Sequence, residues 1–204
     1  MGCERMEFDG WIAGVGTASG TRIVVGYWLR SPFGAFGDVM LERADGHRVL
    51  YAPTPPTAEC IAGVYHFDEV RTGPVHVRAG ESAWEVSAGS LALRFDVGRR
   101  GPRGLVLRAV PRPLARRPAW AALTTLPARA LTGVRTRGSS RPGCRQWYAA
   151  CDLFPVVAAA ASLEGTDLGP LAPVVPPVRF GFASAPAAPS LVRVVSTIRY
   201  GGGP

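Results

Sequence analysis

The stretch WIAGVGTASGTRIVVGYW, residues 11–28, decides the fold. Its glycines Gly14, Gly16 and Gly20 are spaced like a dinucleotide-binding loop, which needs a strand before the glycines and a helix after them. Here β-branched and aromatic residues follow the glycines and favour a strand, while a Ser-Gly pair suits a tight turn. No helix separates the stretch from Asp38, the acidic residue nearest to the position of a ribose ligand. The stretch therefore predicts a β-hairpin that binds no NAD, NADP or FAD.

Other segments alternate with period two between turn residues, which is typical of antiparallel strands. They predict hairpins around Asp45-Gly46, Gly89-Ser90 and the polar residues 139–143, and a last hairpin that joins 177–184 to 190–198. The strand–helix–strand alternation of a parallel sheet does not occur. We predict one domain spanning 1–204, mainly β within the α+β class, built as a bent antiparallel sheet or a β-barrel.

Two proline-marked stretches predict short helical insertions in this sheet. One lies near 57–65, with Thr57 as its N-cap, and the other near 104–132, where leucine and alanine replace β-branched residues. The glycine-rich residues 199–204 predict a disordered tail.

Composition excludes several classes of enzyme. All 23 basic residues are arginine, and the chain contains neither lysine nor asparagine. A lysine-free chain cannot build a Walker P-loop, a Schiff-base enzyme, a pyridoxal phosphate attachment or a kinase-type site. A high-GC genome produces this bias without selection on function, but the exclusions hold whatever its origin. The G-x-S-x-G and H-E-x-x-H motifs are also missing, so no catalytic residue is assigned and enzymatic activity is left open.

The chain as a whole resembles a family of uncharacterised small proteins of high-GC bacteria. The resemblance rests on FDGWIAGVGTASGTR (8–22), SPFG (31–34) and PPVRFGF (176–182), and it implies no particular activity. The strand-rich layout also resembles the acetoacetate-decarboxylase-type barrel. Because this chain has no lysine to form the Schiff base, that resemblance implies the fold without the chemistry.

The sequence predicts a soluble cytoplasmic protein without metal or cofactor. Its most apolar run, 154–163, is too short to span a membrane, and its N-terminus lacks a secretory pattern. Four cysteines without metal-like spacing predict free thiols in a cytosolic chain. His66, Asp68 and His76 offer two histidines and a carboxylate, but ten residues is a short separation for ligands that distant strands normally supply.

Arginine is concentrated between residues 97 and 151. This Arg-rich segment holds 12 of the 23 arginines and no acidic residue, so it accounts for the net charge of +8. Three interpretations of these arginines are open. They are a solvated surface, a contact with an anionic membrane, and a site for an anionic ligand or nucleic acid. For the surface interpretation the candidate residues are Arg108, Arg112, Arg116 and Arg117. Nucleic acid is the less favoured partner, since no recognised binding motif occurs.

The functional hypothesis is a β-barrel pocket that binds a small organic anion, with catalysis on that anion left open. The alternative is a peripheral module that uses the Arg-rich segment on an acidic surface, either an anionic membrane or nucleic acid. Arg193 and Arg179 alternate with apolar residues and are the candidate anchors, because a guanidinium binds a carboxylate bidentately. An internal carboxylate is the favoured partner of these arginines, and a ligand carboxylate is the alternative. The candidate aromatic wall residues are Trp28, Phe180 and Phe182.

Overall fold

The computed structural model describes residues 5–110, 137–139, 143–181 and 185–200, which are mostly strand and include two short helices. The strands are β1 (Arg5–Thr17), β2 (Arg22–Arg30), β3 (Phe36–Glu42), β4 (Arg48–Ala52), β5 (Glu69–Thr72), β6 (Val75–Ala79), β7 (Ala83–Ala88), β8 (Leu91–Val97), β9 (Arg137–Gly138), β10 (Cys144–Leu163), β11 (Thr166–Asp167), β12 (Leu171–Ala172) and β13 (Ser190–Tyr200). The helices are α1 (Pro55–Ala62) and α2 (Pro102–Ala109). The predicted mainly β fold with short helical insertions is confirmed.

The strands form one large sheet with the order β5-β4-β3-β2-β1-β13-β10-β8-β7-β6, and β9, β11 and β12 pair at its sides. Neighbouring strands are antiparallel except for β4 and β5, which are parallel. In the described part of the chain, the two end strands of this path do not pair with each other, so the sheet is bent and open.

The long strand β10 bends the sheet. Its first half pairs with β13 and its second half with β8, and the register shifts between Ala150 and Asp152 and again between Val156 and Ala158. Such irregularities bend a strand and increase its twist. The sheet therefore folds over itself, and β6 packs against β3, where a side chain at Gly37 would lie 2.7 Å from Val77.

The main core fills the space between the two halves of the folded sheet. Strands β1 to β4 contribute fully buried residues such as Ile23 and Leu41, and β8 contributes Phe95. Trp84 packs edge-on against Tyr27, with ring centroids 5.6 Å apart. This core lies on one face of β1, β2 and β3 only, so their other face needs a separate cover.

The glycine run forms the predicted β1–β2 hairpin. Gly16 is opposite Arg22, and Gly20 closes the turn with a φ of 82° and a hydrogen bond from its amide to the Thr17 carbonyl. A side chain at Gly16 would collide with the carbonyl of Pro173, so this glycine allows the chain near β12 to approach closely. The hairpin prediction is confirmed.

Helix α1 and residues 173–181 cover the second face of β1, β2 and β3, and α2 packs across β10. Thr54 caps α1, because its side chain accepts the amide of Thr57 while the Thr57 hydroxyl accepts the amide of Thr54. The helix thus begins at Pro55, two residues before the predicted start, and Thr57 is part of its capping box. Helix α2 is the described beginning of the predicted 104–132 insertion; residues 111–132 lie outside the described part of the chain.

The predicted C-terminal hairpin is wrong. Residues 177–181 do not form a strand, and β13 pairs with β1 and β10 instead of forming a C-terminal hairpin. Prolines at 173, 176 and 177 explain this, because each lacks the amide hydrogen that a strand ladder needs. Residues 199 and 200 belong to β13 and not to a tail, and 201–204 lie outside the described residues. No helix of the described chain has the length and apolar character to cross a membrane.

Candidate ligand-binding site

A cavity of about 520 Å³ lies between the second face of the sheet and its covering segments. Strands β1, β2, β3, β13 and the first half of β10 form its floor. Its walls are α1 with the residues that follow it, part of 173–190, and α2. The main apolar lining residues are Phe8, Ile12, Val24, Phe36, Met40, Val178, Phe180, Val192 and Ile198. The predicted wall residues Trp28 and Phe180 both line this cavity, and Phe182 lies outside the described residues.

One carboxylate faces this apolar space. Asp38 is 3% exposed and is the acidic residue among the described lining. Its Oδ1 accepts the indole N–H of Trp28 at 2.7 Å, and no second donor contacts it in the described part of the chain. Burial raises the pKa of Asp38 to about 6, although the Trp28 hydrogen bond acts in the opposite direction. Asp38 is therefore a carboxylate at neutral pH and an unusually basic one.

The glycine opposite Asp38 explains how the carboxylate fits. Gly26 pairs with Asp38 in the β2–β3 register, and Trp28 is two residues further along the same face. A side chain at Gly26 would collide with Asp38 Oδ1 and lie 2.9 Å from the Trp28 indole nitrogen. Gly26 thus leaves the space in which the diagonal Trp28–Asp38 hydrogen bond forms.

Two tyrosines provide hydroxyl groups in the same cavity. The Tyr65 and Tyr148 hydroxyls contact each other, and the Ser196 side chain hydrogen-bonds Tyr148. Burial raises the pKa of Tyr148 to about 12 and that of Tyr65 well above its usual value, and the negative charge of Asp38 contributes to both shifts. The pair therefore stays protonated at neutral pH and can donate a hydrogen bond to an oxygen in the cavity.

Two further polar groups border the cavity. Ser190 is buried there, and its hydroxyl has no hydrogen-bond partner among the described residues. Arg103 on α2 is the basic residue of the described lining. A buried hydroxyl without a partner is uncommon in folded proteins and is consistent with a polar group supplied by a ligand.

A buried ion pair fixes one wall of the cavity to the sheet. Arg22 and Glu42 are 3% and 0% exposed and lie 3.1 Å apart. Glu42 also accepts the backbone amide of Arg179 at 2.7 Å and its Nε at 3.2 Å, while the Arg179 side chain extends into solvent. Arg179, a predicted ligand anchor, is thus a surface residue whose backbone holds Val178 and Phe180 against the cavity.

The other predicted anchor, Arg193, lies on the opposite face of the sheet. It forms an ion pair with Asp9, donates to the Gly10 carbonyl and stacks over the Trp11 ring at 5.6 Å. Although burial opposes it, hydrogen bonds and charge from Arg30 and Arg193 hold the pKa of Asp9 below its usual range. Arg193 does not line the cavity, because alternation along β13 turns Val192 and Val194 towards that space instead.

The candidate surface arginines are described only in part. Arg108 is exposed near the end of α2, and Arg112, Arg116 and Arg117 lie outside the described residues. Binding of an acidic surface by the Arg-rich segment stays a prediction. Another arginine of the segment, Arg100, forms a bidentate ion pair with Asp152.

The described residues contain no group of three histidine, cysteine or acidic side chains that could hold a metal ion. His66 and His76 are exposed, and Asp68 forms a bidentate ion pair with Arg48. Cys60, Cys144 and Cys151 form no disulfide with one another in the described part of the chain, and burial raises the pKa of Cys144.

Sequence reasoning missed the polar residues of the cavity. Asp38 was considered only as a ribose ligand, and neither Tyr65 nor Tyr148 was singled out. One available signal was the alternation in β3, which places Asp38 on the same face as Phe36 and Met40. A buried acidic residue between apolar neighbours on a strand face is costly unless it has a partner or a role.

Comparisons with known proteins give no family. No protein-family model matches the chain, and no curated protein matches its sequence. Among solved structures, acetoacetate decarboxylase from Legionella pneumophila is 9% identical with a TM-score of 0.43 over 98% of this chain and 86% of that one. A protein described as AttH from Nitrosomonas europaea is 10% identical with a TM-score of 0.33 over 98% of this chain and 52% of that one. These values are too low to support a conclusion about function, and the resemblance to small proteins of high-GC bacteria stays a prediction.

Proposed function

We propose that the cavity binds a small, mainly apolar organic molecule that carries one polar, oxygen-containing group. The observation that carries this proposal is a cavity of about 520 Å³ whose walls are almost entirely apolar and aromatic. Ligand sites in proteins typically have such walls, with a few polar groups that fix the orientation of the ligand.

The polar groups are clustered and not scattered over the walls. Asp38, Tyr65 and Tyr148 all line this cavity, and the negative charge of Asp38 contributes to the raised pKa of both tyrosines. The apolar part of the ligand would pack against Trp28 and Phe180, and its polar group would meet this cluster. The orientation of the ligand is therefore set by the side chains of β3 and β10.

The charge of the cavity favours a neutral ligand over the organic anion predicted from the sequence. Asp38 is ionised at neutral pH, and a second negative charge in the same apolar space is unfavourable. The arginine that was expected to bind the anion, Arg193, is paired with Asp9 on the other face. Arg103 is the remaining cation of the described lining.

A matched pair of fluorescent probes tests the proposal. N-phenyl-1-naphthylamine is neutral and apolar, and 8-anilino-1-naphthalenesulfonate is the same molecule with an added sulfonate. We expect saturable fluorescence enhancement at pH 8 with both probes, and a lower Kd for the neutral one. Tighter binding of the sulfonate would contradict the neutral-ligand assignment and support an anion.

Two valine variants locate the bound probe. Val192 lines the cavity on β13, whereas Val70 is 45% exposed on β5. Val192→Trp fills the cavity and should abolish probe binding, while Val70→Trp adds the same side chain to the surface and should leave the Kd unchanged. Equal effects of the two substitutions would mean that the probe binds elsewhere.

A further inference from the structure

We propose that the cavity transfers a proton from the carbon atom next to a ligand's carbonyl group, with Asp38 as the base and the Tyr65–Tyr148 pair as the hydrogen-bond donor to the carbonyl oxygen. The inference rests on the proposed function, because it requires a mainly apolar ligand in the cavity. It adds a reaction type and a substrate class, namely a small apolar ketone.

Asp38 has the environment of a general base. Its carboxylate is buried in an apolar wall, and Trp28 binds Oδ1, so the second oxygen has no donor among the described residues. A hydrogen bond that fixes one oxygen also fixes the direction of the other. With a pKa of about 6, Asp38 is ionised at neutral pH and is still a stronger base than an exposed aspartate.

The tyrosine pair has the environment of an electrophilic partner. Both hydroxyls line the cavity, and Ser196 extends the hydrogen-bond chain through Tyr148. Because burial raises the pKa of both tyrosines, they keep their protons at neutral pH. One hydroxyl proton lies between the two tyrosines, and the other is donated to an oxygen on which negative charge develops. In an apolar cavity such hydrogen bonds are stronger than they are in water.

The proposed step balances without an oxidant, metal or cofactor. The C–H bond next to the carbonyl breaks, and its proton passes to Asp38. The electron pair of that bond forms a carbon–carbon double bond, and the carbonyl π electrons move to the oxygen, which the tyrosine hydroxyls stabilise. The Asp38 carboxyl exchanges its proton with solvent. Return of a solvent-derived proton to the same carbon then exchanges hydrogen, and return of a proton to a conjugated carbon moves the double bond.

The test follows hydrogen exchange at C2 of 1-tetralone in D₂O by NMR. The ketone is first shown to displace N-phenyl-1-naphthylamine from the cavity. Wild-type protein should then accelerate exchange over a protein-free blank, with a rate that rises with pH as Asp38 ionises at about 6. Among the described residues, the other titratable or charged groups of the lining are Tyr65, Tyr148, Cys60 and Arg103, and the thiol of Cys144 acts on both tyrosines from outside the lining.

Three variants assign the roles. Asp38→Asn should reduce the exchange rate by on the order of 100-fold or more and abolish the pH dependence, while the naphthylamine still binds. Tyr148→Phe should reduce the rate by on the order of 100-fold without moving the pH dependence. Asp68→Asn removes a carboxylate paired with Arg48 on the surface and should leave the rate unchanged.

The outcomes separate this inference from the proposed function. Absence of naphthylamine binding would overturn both. Naphthylamine binding without displacement by 1-tetralone would overturn the substrate class, and displacement without exchange above the blank would overturn the reaction. Exchange that persists in Asp38→Asn would overturn the role of Asp38 as the base.

Discussion

Replacing Asp38 with asparagine is expected to stabilise the protein at neutral pH. Asparagine keeps the size of the side chain and an oxygen that can accept the Trp28 indole N–H, but it carries no charge. The pKa of Asp38 is about 6 in the folded protein, against 3.8 for an unperturbed aspartate. Since one pKa unit corresponds to about 1.4 kcal/mol, ionised Asp38 lowers the free energy of unfolding by about 3 kcal/mol.

The direction of the pH dependence follows from proton binding. Between the two pKa values, the folded protein binds more protons at Asp38 than the unfolded chain does, so the free energy of unfolding falls as the pH rises. Below pH 3.8 Asp38 is protonated in both states and does not lower the free energy of unfolding. The full loss of stability is reached once the pH has risen past about 6. Asp38→Asn should therefore gain little at pH 4 and about 3 kcal/mol at pH 8, relative to wild type.

Urea denaturation followed by tryptophan fluorescence at several pH values measures this difference. Asp68→Asn is the matched control, and its change in the free energy of unfolding should have the opposite sign. The reason is that hydrogen bonds from Arg48 lower the pKa of Asp68. That substitution should cost stability at pH 7, and its cost should shrink as the pH falls towards the Asp68 pKa. A constant loss of stability in Asp38→Asn from pH 4 to pH 8 would refute a buried, ionised carboxylate at this position.

Three further substitutions test the contacts around the cavity, each by urea denaturation and naphthylamine binding. Arg193→Met should lower the free energy of unfolding by about 3 kcal/mol through its lost ion pair and leave probe binding intact; lost binding with unchanged stability would make this arginine a ligand anchor. Glu42→Gln leaves the buried Arg22 without a charged partner, so it should lower the free energy of unfolding by about 3–5 kcal/mol and weaken probe binding. Wild-type stability in this variant would contradict the idea that the Arg22–Glu42 pair holds residues 173–181 against the sheet. Gly26→Ala should lower the free energy of unfolding by about 1–3 kcal/mol and displace the buried Asp38 carboxylate. Gly101→Ala should be tolerated, because the added methyl group meets open space. Equal effects of the two substitutions would contradict the close approach of Asp38 to Gly26.

Local features of the chain were predictable from the sequence. The β1–β2 hairpin follows from β-branched residues on both sides of a glycine with positive φ, and both causes act within a few residues. The two short helices follow in the same way from prolines at their starts, Pro55 and Pro102. Trp28 was predicted as a wall residue of a pocket, because aromatic side chains on strands pack against whatever covers that face. Phe180 also lines the cavity, although the strand on which it was predicted does not form.

Only the tertiary structure decided which charges meet. Arg193 had 15 acidic residues as possible partners, and the pairing with Asp9 depends on the register between β1 and β13, whose residues are nearly the whole chain apart. The same holds for Glu42, which joins Arg22 to a proline-rich segment that the alternation pattern had assigned to a strand.

The cavity itself is a property of the assembled fold. The sequence by itself determined that β3 carries an acidic residue between apolar ones, and it excluded any lysine chemistry beside that residue. It did not determine that Tyr65, after α1, and Tyr148, on β10, face the same space. Local sequence fixes the direction of a side chain relative to its own strand or helix, but the distance between two such side chains depends on how the sheet bends and what packs against it.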